Sequence, residues 1–337
     1  MRAVAYQIPQ PIEAETSLVD IDLQRPEPEG RDILVEVKAI SVNPVDTKIR
    51  RGVKPEPGQW KVLGWDAAGV VSAVGPNASF FKPGDEVFYA GAINRSGTNA
   101  EFHLVDERIV GRKPRSVDFS AAAALPLTSI TAWEMLFDRL DVTRPVAGAA
   151  NAIVIIGGAG GVGSIAIQIA RALTDLTVIA TASRPETVEW VKSLGAHHVV
   201  DHRQPLAAQI EALGLGQPGF VFSTTNTGDH LDQIVELIAP QGRFGLIDDP
   251  KQLDALPLKR KSISLHWELM FTRSLFATAD IEKQNVLLNR VSDLVDAGKI
   301  KSTLNEHFGT INAANLKRAH AVIESGRAKG KIVLSGF

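Results

Sequence analysis

The sequence predicts an α/β protein in which a partly open antiparallel β-barrel is joined to a doubly wound parallel sheet. Three observations carry that prediction. Ile153-Val154-Ile155-Ile156 is an unbroken apolar run, and it leads into Gly157-Gly158-Ala159-Gly160-Gly161-Val162-Gly163, with G-x-G-x-x-G spacing at 158, 160 and 163. From about Asn151 onward, apolar strand-like runs alternate with helix-like ones. Before that point, short β-type runs separated by turn residues dominate the first third of the chain.

The glycine run has a specific physical use. One glycine permits a tight turn, one lets the backbone approach a pyrophosphate, and the last lets the following helix pack on the strand. The free N–H groups and positive dipole end of that helix then face the phosphates. A bare G-x-G-x-x-G is a weak signal, equally open to a glycine-rich loop without a ligand. Its context strengthens it: Ile165, Ile169 and Leu173 follow at helical spacing, and a second apolar strand, 176–182, comes at βαβ distance. Gly158, Ala159, Gly160, Gly161, Val162 and Gly163 are therefore candidate cofactor-binding residues.

In chain order, 2–7 reads as an edge strand. Residues 33–41 alternate, with Val35, Val37 and Ala39 facing one way and Glu36 and Lys38 the other. Further strands are expected at 68–74, 86–89 and 100–105. Ser120 is the expected cap of a helix interrupted at Pro126 and continued over 131–139. Beyond the glycine motif, a helix over 186–194 stops at Gly195, and strands at 197–201, 220–222 and 244–247 flank a helix at 231–238. The alternation ends near 275; a helix at 286–295 and a closing strand at 331–334 follow, the latter returning to the first domain. The expected division is 1–124, 125–275 and 276–337.

Composition removes several function classes. The net charge is −2, with 45% apolar and 22% charged residues, so no basic field exists to hold a nucleic acid. The start of the chain lacks a charged segment followed by an apolar one, and the apolar window 152–172 is broken by glycines. A cytoplasmic protein without a membrane partner is expected. Cysteine is absent, which removes disulfides, a thiol nucleophile and Cys-ligated zinc. Among the eight His, 197, 198 and 202 lie close together, but without a carboxylate at ligand spacing. No metal site is expected.

Several stretches together resemble the medium-chain dehydrogenase/reductase superfamily, in particular its zinc-free, quinone-oxidoreductase-like branch and, within it, proteins named zinc-type alcohol dehydrogenase-like. They are Val42-Asn43-Pro44-Val45-Asp46, Gly64-Trp65-Asp66-Ala67-Ala68-Gly69-Val70-Val71, Lys82-Pro83-Gly84-Asp85-Glu86-Val87, Ala124-Leu125-Pro126-Leu127-Thr128, the glycine motif, Leu194-Gly195-Ala196, Gly242-Arg243 and Gly330-Lys331-Ile332-Val333-Leu334. The resemblance implies a GroES-like barrel domain, a Rossmann domain and a nicotinamide cofactor. It also implies that the metal-ligand positions of the zinc enzymes fall on Asn43, Trp65 and Leu127, none of which is a good zinc ligand. Without a Lewis acid, alcohol oxidation loses its main driving device. Reduction of a quinone or an α,β-unsaturated carbonyl does not need one, because the accepting π-system spreads the incoming charge. That is the expected reaction. The alternatives are an alcohol dehydrogenase, as the family name says, and a non-catalytic NADPH-binding sensor or structural protein.

NAD enzymes usually place an acid about 20 residues past the fingerprint. Here the second strand ends in Ala180-Thr181-Ala182-Ser183-Arg184, with no acid before Glu186. A hydroxyl at Ser183 and a guanidinium at Arg184 suit a 2′-phosphate, so NADPH is the expected coenzyme. By similarity to quinone reductases, His202 falls where an aromatic reaches the adenosine phosphate, and Lys331 where a cation meets the pyrophosphate. Asn226 and Ile247 are candidates for ribose and carboxamide contacts.

In the family, Asn43 and Asp46 lie on the loop facing the nicotinamide. Asn43 is the expected donor to the acceptor oxygen, with Thr131 or Lys48 as a second. Asp46 with Lys48 is a possible proton relay, although solvent suffices; the competing reading of Asp46 is a turn-stabilising residue. Trp65 is a candidate pocket wall or a core aromatic. Phe271 and Arg273 either line the cleft or belong to a buried interface strand. A homodimer through the apolar run 263–271 is expected from the family.

Overall fold

The computed structural model describes every residue from Met1 to Phe337. It forms two compact units: residues 1–130, 271–298 and 302–337 make the first, and 131–270 with 299–301 the second. The divisions at 130 and 270 differ from the expected 124 and 275. At the second, Phe271 packs its ring edge-on against Trp65 of the first unit, with centroids 6.1 Å apart.

The first unit is organised on the strand Asp32–Val42, whose Val35, Val37 and Ala39 are buried while Glu36 and Lys38 are not, as the alternation predicts. One side pairs antiparallel with Ala67–Val74. The other side is shared: Phe102–Asp106 takes residues 32–36 and the closing strand Lys331–Ser335 takes 39–42. The chain's last strand thus completes a sheet begun near its start. The sheet extends through Glu86–Tyr89 to Val110–Arg112, and a separate three-stranded sheet holds Val19–Asp22, Arg2–Tyr6 and Lys61–Val62. The helix Phe119–Ala123 is capped by Asp118, whose Oδ1 accepts from the Ala121 N–H at 2.7 Å, and not by Ser120.

The second unit is a six-stranded, all-parallel sheet in the order His198–Val200, Thr177–Thr181, Ala150–Ile156, Pro218–Ser223, Arg243–Leu246, Ser264–Trp267. Numbered along the chain, that is order 3-2-1-4-5-6. The order of connection reverses between Ala150–Ile156 and Pro218–Ser223, and beyond the carboxyl ends of strands at such a reversal open α/β sheets bind their ligands. The apolar runs of these strands pack on both faces, as a parallel sheet requires. The last strand has one free edge, and Trp267 and Leu269, on the segment expected to pair two copies, are about half exposed.

The expected helix over 131–139 changes character after Trp133. Residues Glu134–Arg139 form a π-turn, in which the Leu140 N–H reaches Met135 O at 2.8 Å. This turn carries the buried Glu134 to the buried Glu268, and Arg139 Nε donates to Glu268 Oε2 at 2.7 Å. Burial, and then the adjacent Glu134, push the Glu268 carboxyl up to about 8. The native state therefore holds a proton that the unfolded chain releases above the ordinary glutamate range. Stability contributed here is present at acid pH and falls as pH rises toward about 8. A Glu268→Gln variant, which keeps the protonated shape, is expected to melt close to the parent at pH 5 and a few degrees above it at pH 8.5. Calorimetric melting curves across that range check it; an offset independent of pH removes the shared proton.

Candidate active site

The glycine motif folds at the carboxyl end of Ala150–Ile156. Gly157, just before the G-x-G-x-x-G pattern, makes the turn: its φ is +80°, and a Cβ there would lie 2.3 Å from Thr224 Oγ1. Gly163 seats the helix, since a Cβ would lie 2.3 Å from Gly157 O and 2.7 Å from Gly158 Cα. Gly160 is different. It has an ordinary φ of −71°, and a Cβ would meet only Gly157 O, at 3.4 Å. Nothing in the protein requires that glycine, so its smallness leaves space for something outside it. Gly160 is the N-cap of the helix Gly161–Leu173, no side chain caps that end, and Ala159, Gly161 and Val162 are partly exposed around it. The site therefore fits a dinucleotide pyrophosphate.

Asn226 stands at the switch point in a left-handed conformation, φ 51°, and is exposed as N-cap of Thr227–Leu237. Ile247, next to the end of Arg243–Leu246, has its N–H bonded to Ser223 O at 3.3 Å and is only half buried. Both lie beyond the carboxyl ends of strands in the sheet. At the end of Thr177–Thr181, Ser183 and Arg184 are half buried, and Arg184 Nε lies 3.2 Å from Glu186. Sequence reasoning missed Arg203, the neighbour of His202. Its guanidinium donates 2.8 Å to Ser183 O and is gripped by both oxygens of Asp201. An Arg following an Asp two residues earlier was the available signal.

The first unit holds a buried polar network that corrects several expectations. Asp66, fully buried, is its hub: one oxygen accepts from Leu127 N–H at 2.8 Å, the other from Asn43 Nδ2 at 2.8 Å and Lys331 Nζ at 3.0 Å. Lys331 Nζ also donates to Asn43 Oδ1 and, at 3.0 Å, to Val42 O. All three ammonium protons are engaged inside the barrel, so Lys331 is not placed to meet a pyrophosphate. Asn43 is likewise enclosed, its amide engaged with Asp66 and, more loosely, Ser41 O, which removes it as a donor to a substrate oxygen. Asp46 Oδ2 accepts from Asn43 N–H at 2.6 Å at the start of the helix Pro44–Gly52. Burial pushes its carboxyl up to about 7, against the lowering pull of the Asn43 N–H and of Lys331. Burial likewise raises Asp66, and Lys331 opposes it.

Lys48 lies two residues from Asp46 on the same helix and is exposed while Asp46 is buried, because side chains at that spacing face apart. Trp65 is 1% and Phe271 2% exposed, each closing on the other, with Trp65 Nε1 donating to Ala92 O at 3.2 Å. They are core aromatics here, not an open pocket wall. Arg273 is buried against Asp280, with Nε at 3.1 Å and the terminal nitrogen at 3.0 Å. Thr131 belongs to the second unit and is buried.

Comparison with known proteins agrees with this architecture. The family described as "Alcohol dehydrogenase GroES-like domain" matches residues 29–115, and "Zinc-binding dehydrogenase" matches 161–287. A zinc-type alcohol dehydrogenase-like protein of Staphylococcus aureus is 40% identical over 340 residues, covering 99% of this chain and 100% of that protein. A mitochondrial NAD(P)H oxidoreductase of Homo sapiens is 30% identical over 337 residues, 90% of this chain and 81% of that one. A solved structure from Rhizobium etli CFN 42, described as a candidate zinc-dependent alcohol dehydrogenase, has 66% identity and a TM-score of 0.98, covering 100% of this chain and 98% of its own. A quinone oxidoreductase from Pseudomonas syringae pv. Tomato DC3000 has 26% identity and a TM-score of 0.81 over 99% of both chains.

A GroES-like barrel unit and a Rossmann unit with a glycine cradle define an oxidoreductase of the alcohol-dehydrogenase type. The chain belongs to the medium-chain dehydrogenase/reductase superfamily, alongside the proteins named zinc-type alcohol dehydrogenase-like. Its own residues do not fit the zinc in that name. The positions Asn43, Trp65 and Leu127 offer an engaged amide, a core indole and a backbone N–H, and no group of three or more His, Asp or Glu side chains is placed to hold a metal ion.

Proposed function

We propose that this protein uses NADPH to reduce a quinone or an α,β-unsaturated carbonyl, without a catalytic metal. The observation that carries the reading is the Asp66–Lys331 pair. Where zinc relatives would need thiolate or imidazole donors, this chain builds an ammonium-centred network that pairs Asp66 with Lys331 and Asn43. A polarising cation for an alcohol is thus not provided, whereas a conjugated acceptor disperses the incoming charge itself.

When bound, the reduced nicotinamide supplies a hydride. The protein's part is to hold and orient. Gly158 to Gly163 accept the pyrophosphate against the helix end, and Ser183 and Arg184 offer a hydroxyl and a guanidinium to a 2′-phosphate. The absence of an acid at the end of Thr177–Thr181 supports NADPH over NADH. The proton that completes reduction needs no dedicated protein acid, since solvent can deliver it to the reduced acceptor. The names of the human NAD(P)H oxidoreductase and the Pseudomonas quinone oxidoreductase lend support to a nicotinamide reductant and to a quinone acceptor.

The test is a panel of quinones, enones, aldehydes and alcohols with NADPH and with NADH, run on chelator-treated protein whose metal content is measured. Turnover of quinones or enones with NADPH is expected. Stoichiometric zinc together with alcohol oxidation that chelation abolishes would overturn the reading, and tight NADPH binding without turnover of any acceptor would favour a sensor or structural role.

A further inference from the structure

We infer that His202 and His230, set beside Arg184 and Arg203, form a phosphate-reading face that takes up protons when it captures the coenzyme, so that preference for NADPH over NADH strengthens as pH falls. This rests on the NADPH reading above and adds to it His230 as a partner of His202, a proton and a direction. His202 follows His198–Val200, and His230 lies in the first turns of Thr227–Leu237; the two rings meet edge-on with centroids 6.4 Å apart. Both are half buried at the carboxyl end of the sheet. Neither has a hydrogen-bonding role in the fold comparable to that of His197, whose Nδ1 accepts from Val178 N–H at 2.9 Å.

The charges around the pair require something more than arginine. Arg203 is matched by Asp201, at 2.7 Å, and Arg184 by Glu186, at 3.2 Å. Facing His230 are Asp229 on its own helix and Asp248 on the loop beyond Arg243–Leu246, the latter bonded to Thr227. The fixed ions of the cluster therefore carry no surplus positive charge. A 2′-phosphate brings up to two negative charges near neutrality. The groups able to answer it by gaining charge are the two imidazoles. In the free protein both sit below the ordinary histidine range, His202 through burial and the neighbouring His230, Arg203 and Arg184, and His230 through burial. They are thus neutral at pH 7 and available to be protonated when a dianion arrives. NADH lacks the phosphate and draws no such proton.

The sign follows from linkage. A ligand that raises a histidine pKa binds more tightly below that raised value and more weakly above it. Fluorescence titration of the full protein with NADPH is expected to show a dissociation constant rising about five-fold or more between pH 6.5 and 8.5, while that for NADH changes less than about two-fold. Calorimetry in two buffers of different ionisation enthalpy is expected to show net proton uptake with NADPH and none with NADH. The His202→Gln, His230→Gln double variant, altered only at half-exposed positions, is expected to keep its melting temperature and lose the NADPH slope. Tight NADPH binding with a pH profile parallel to that of NADH, or a double variant that retains the slope, overturns the histidine proposal and leaves the coenzyme reading standing. NADPH failing to bind at any pH while NADH binds overturns both.

Discussion

A Lys331→Met variant is expected to lose roughly 3–5 kcal/mol of stability at pH 7.5. The ammonium is 3% exposed and bonded to Asp66, Asn43 and Val42 O, so methionine fills the space while leaving Asp66 and Asp46 buried together without a cation. Removing one partner of a buried pair leaves the other charge unanswered, which costs more than the pair contributed. Two consequences distinguish this from a general packing defect. The deficit shrinks as pH falls, because burial already raises both carboxyls and protonation then removes the unanswered charge. An Asp66→Asn change added to Lys331→Met recovers much of the loss. The family-based expectation that Lys331 meets the pyrophosphate predicts the reverse: weaker coenzyme binding with little change in stability. Chemical denaturation at pH 5.5 and 7.5, with coenzyme titration of the folded variant, separates the two.

The second large effect concerns two glycines of one motif that serve different purposes. Gly163→Ala places a Cβ 2.3 Å from Gly157 O, against backbone that cannot rotate away. It is expected to cost about 1–3 kcal/mol of stability and to disturb the turn itself. Gly160→Ala meets one atom at an ordinary contact distance, 3.4 Å, and keeps an allowed φ, so the fold is expected to melt within about a degree of the parent. Yet it occupies the space left open at the helix end, and coenzyme affinity is expected to fall ten-fold or more, about 1.4 kcal/mol. A Gly160→Ala protein that binds coenzyme like the parent would mean the phosphates do not lie against that residue.

The glycine cradle was legible in the sequence because the physics that makes it is local: an apolar strand, a turn and a helix end within a dozen or so residues. The alternation of Asp32–Val42 was legible for the same reason, since a period of two needs no partner to be read. The Asp66 hub was not. Its cation lies 265 residues further along the chain, and the antiparallel pairing of residues 332–335 with 39–42 brings that cation to it. The family resemblance placed Asn43 and Lys331 near the chemistry, but it did not show that they would bond to each other. An acid inside the apolar run Gly64 to Val71 was a usable clue, because a carboxylate at the start of a buried strand must find a counter-charge. The π-turn at Glu134–Arg139 left no comparable trace: its residues fit an α-helix equally well, and only the approach of Glu134 to Glu268 marks the place.

The closing strand Lys331–Ser335 also sets an order of events during synthesis. Asp46 and Asp66 are made early, and the strands around them can pair, but the side chain that answers their charge follows Asp66 by 265 residues. Domains usually fold as they emerge, from the amino end onward. Here the barrel's buried carboxyls have no ammonium to answer them until residue 331 has been made, so the amino-terminal strands acquire that part of their electrostatic balance late.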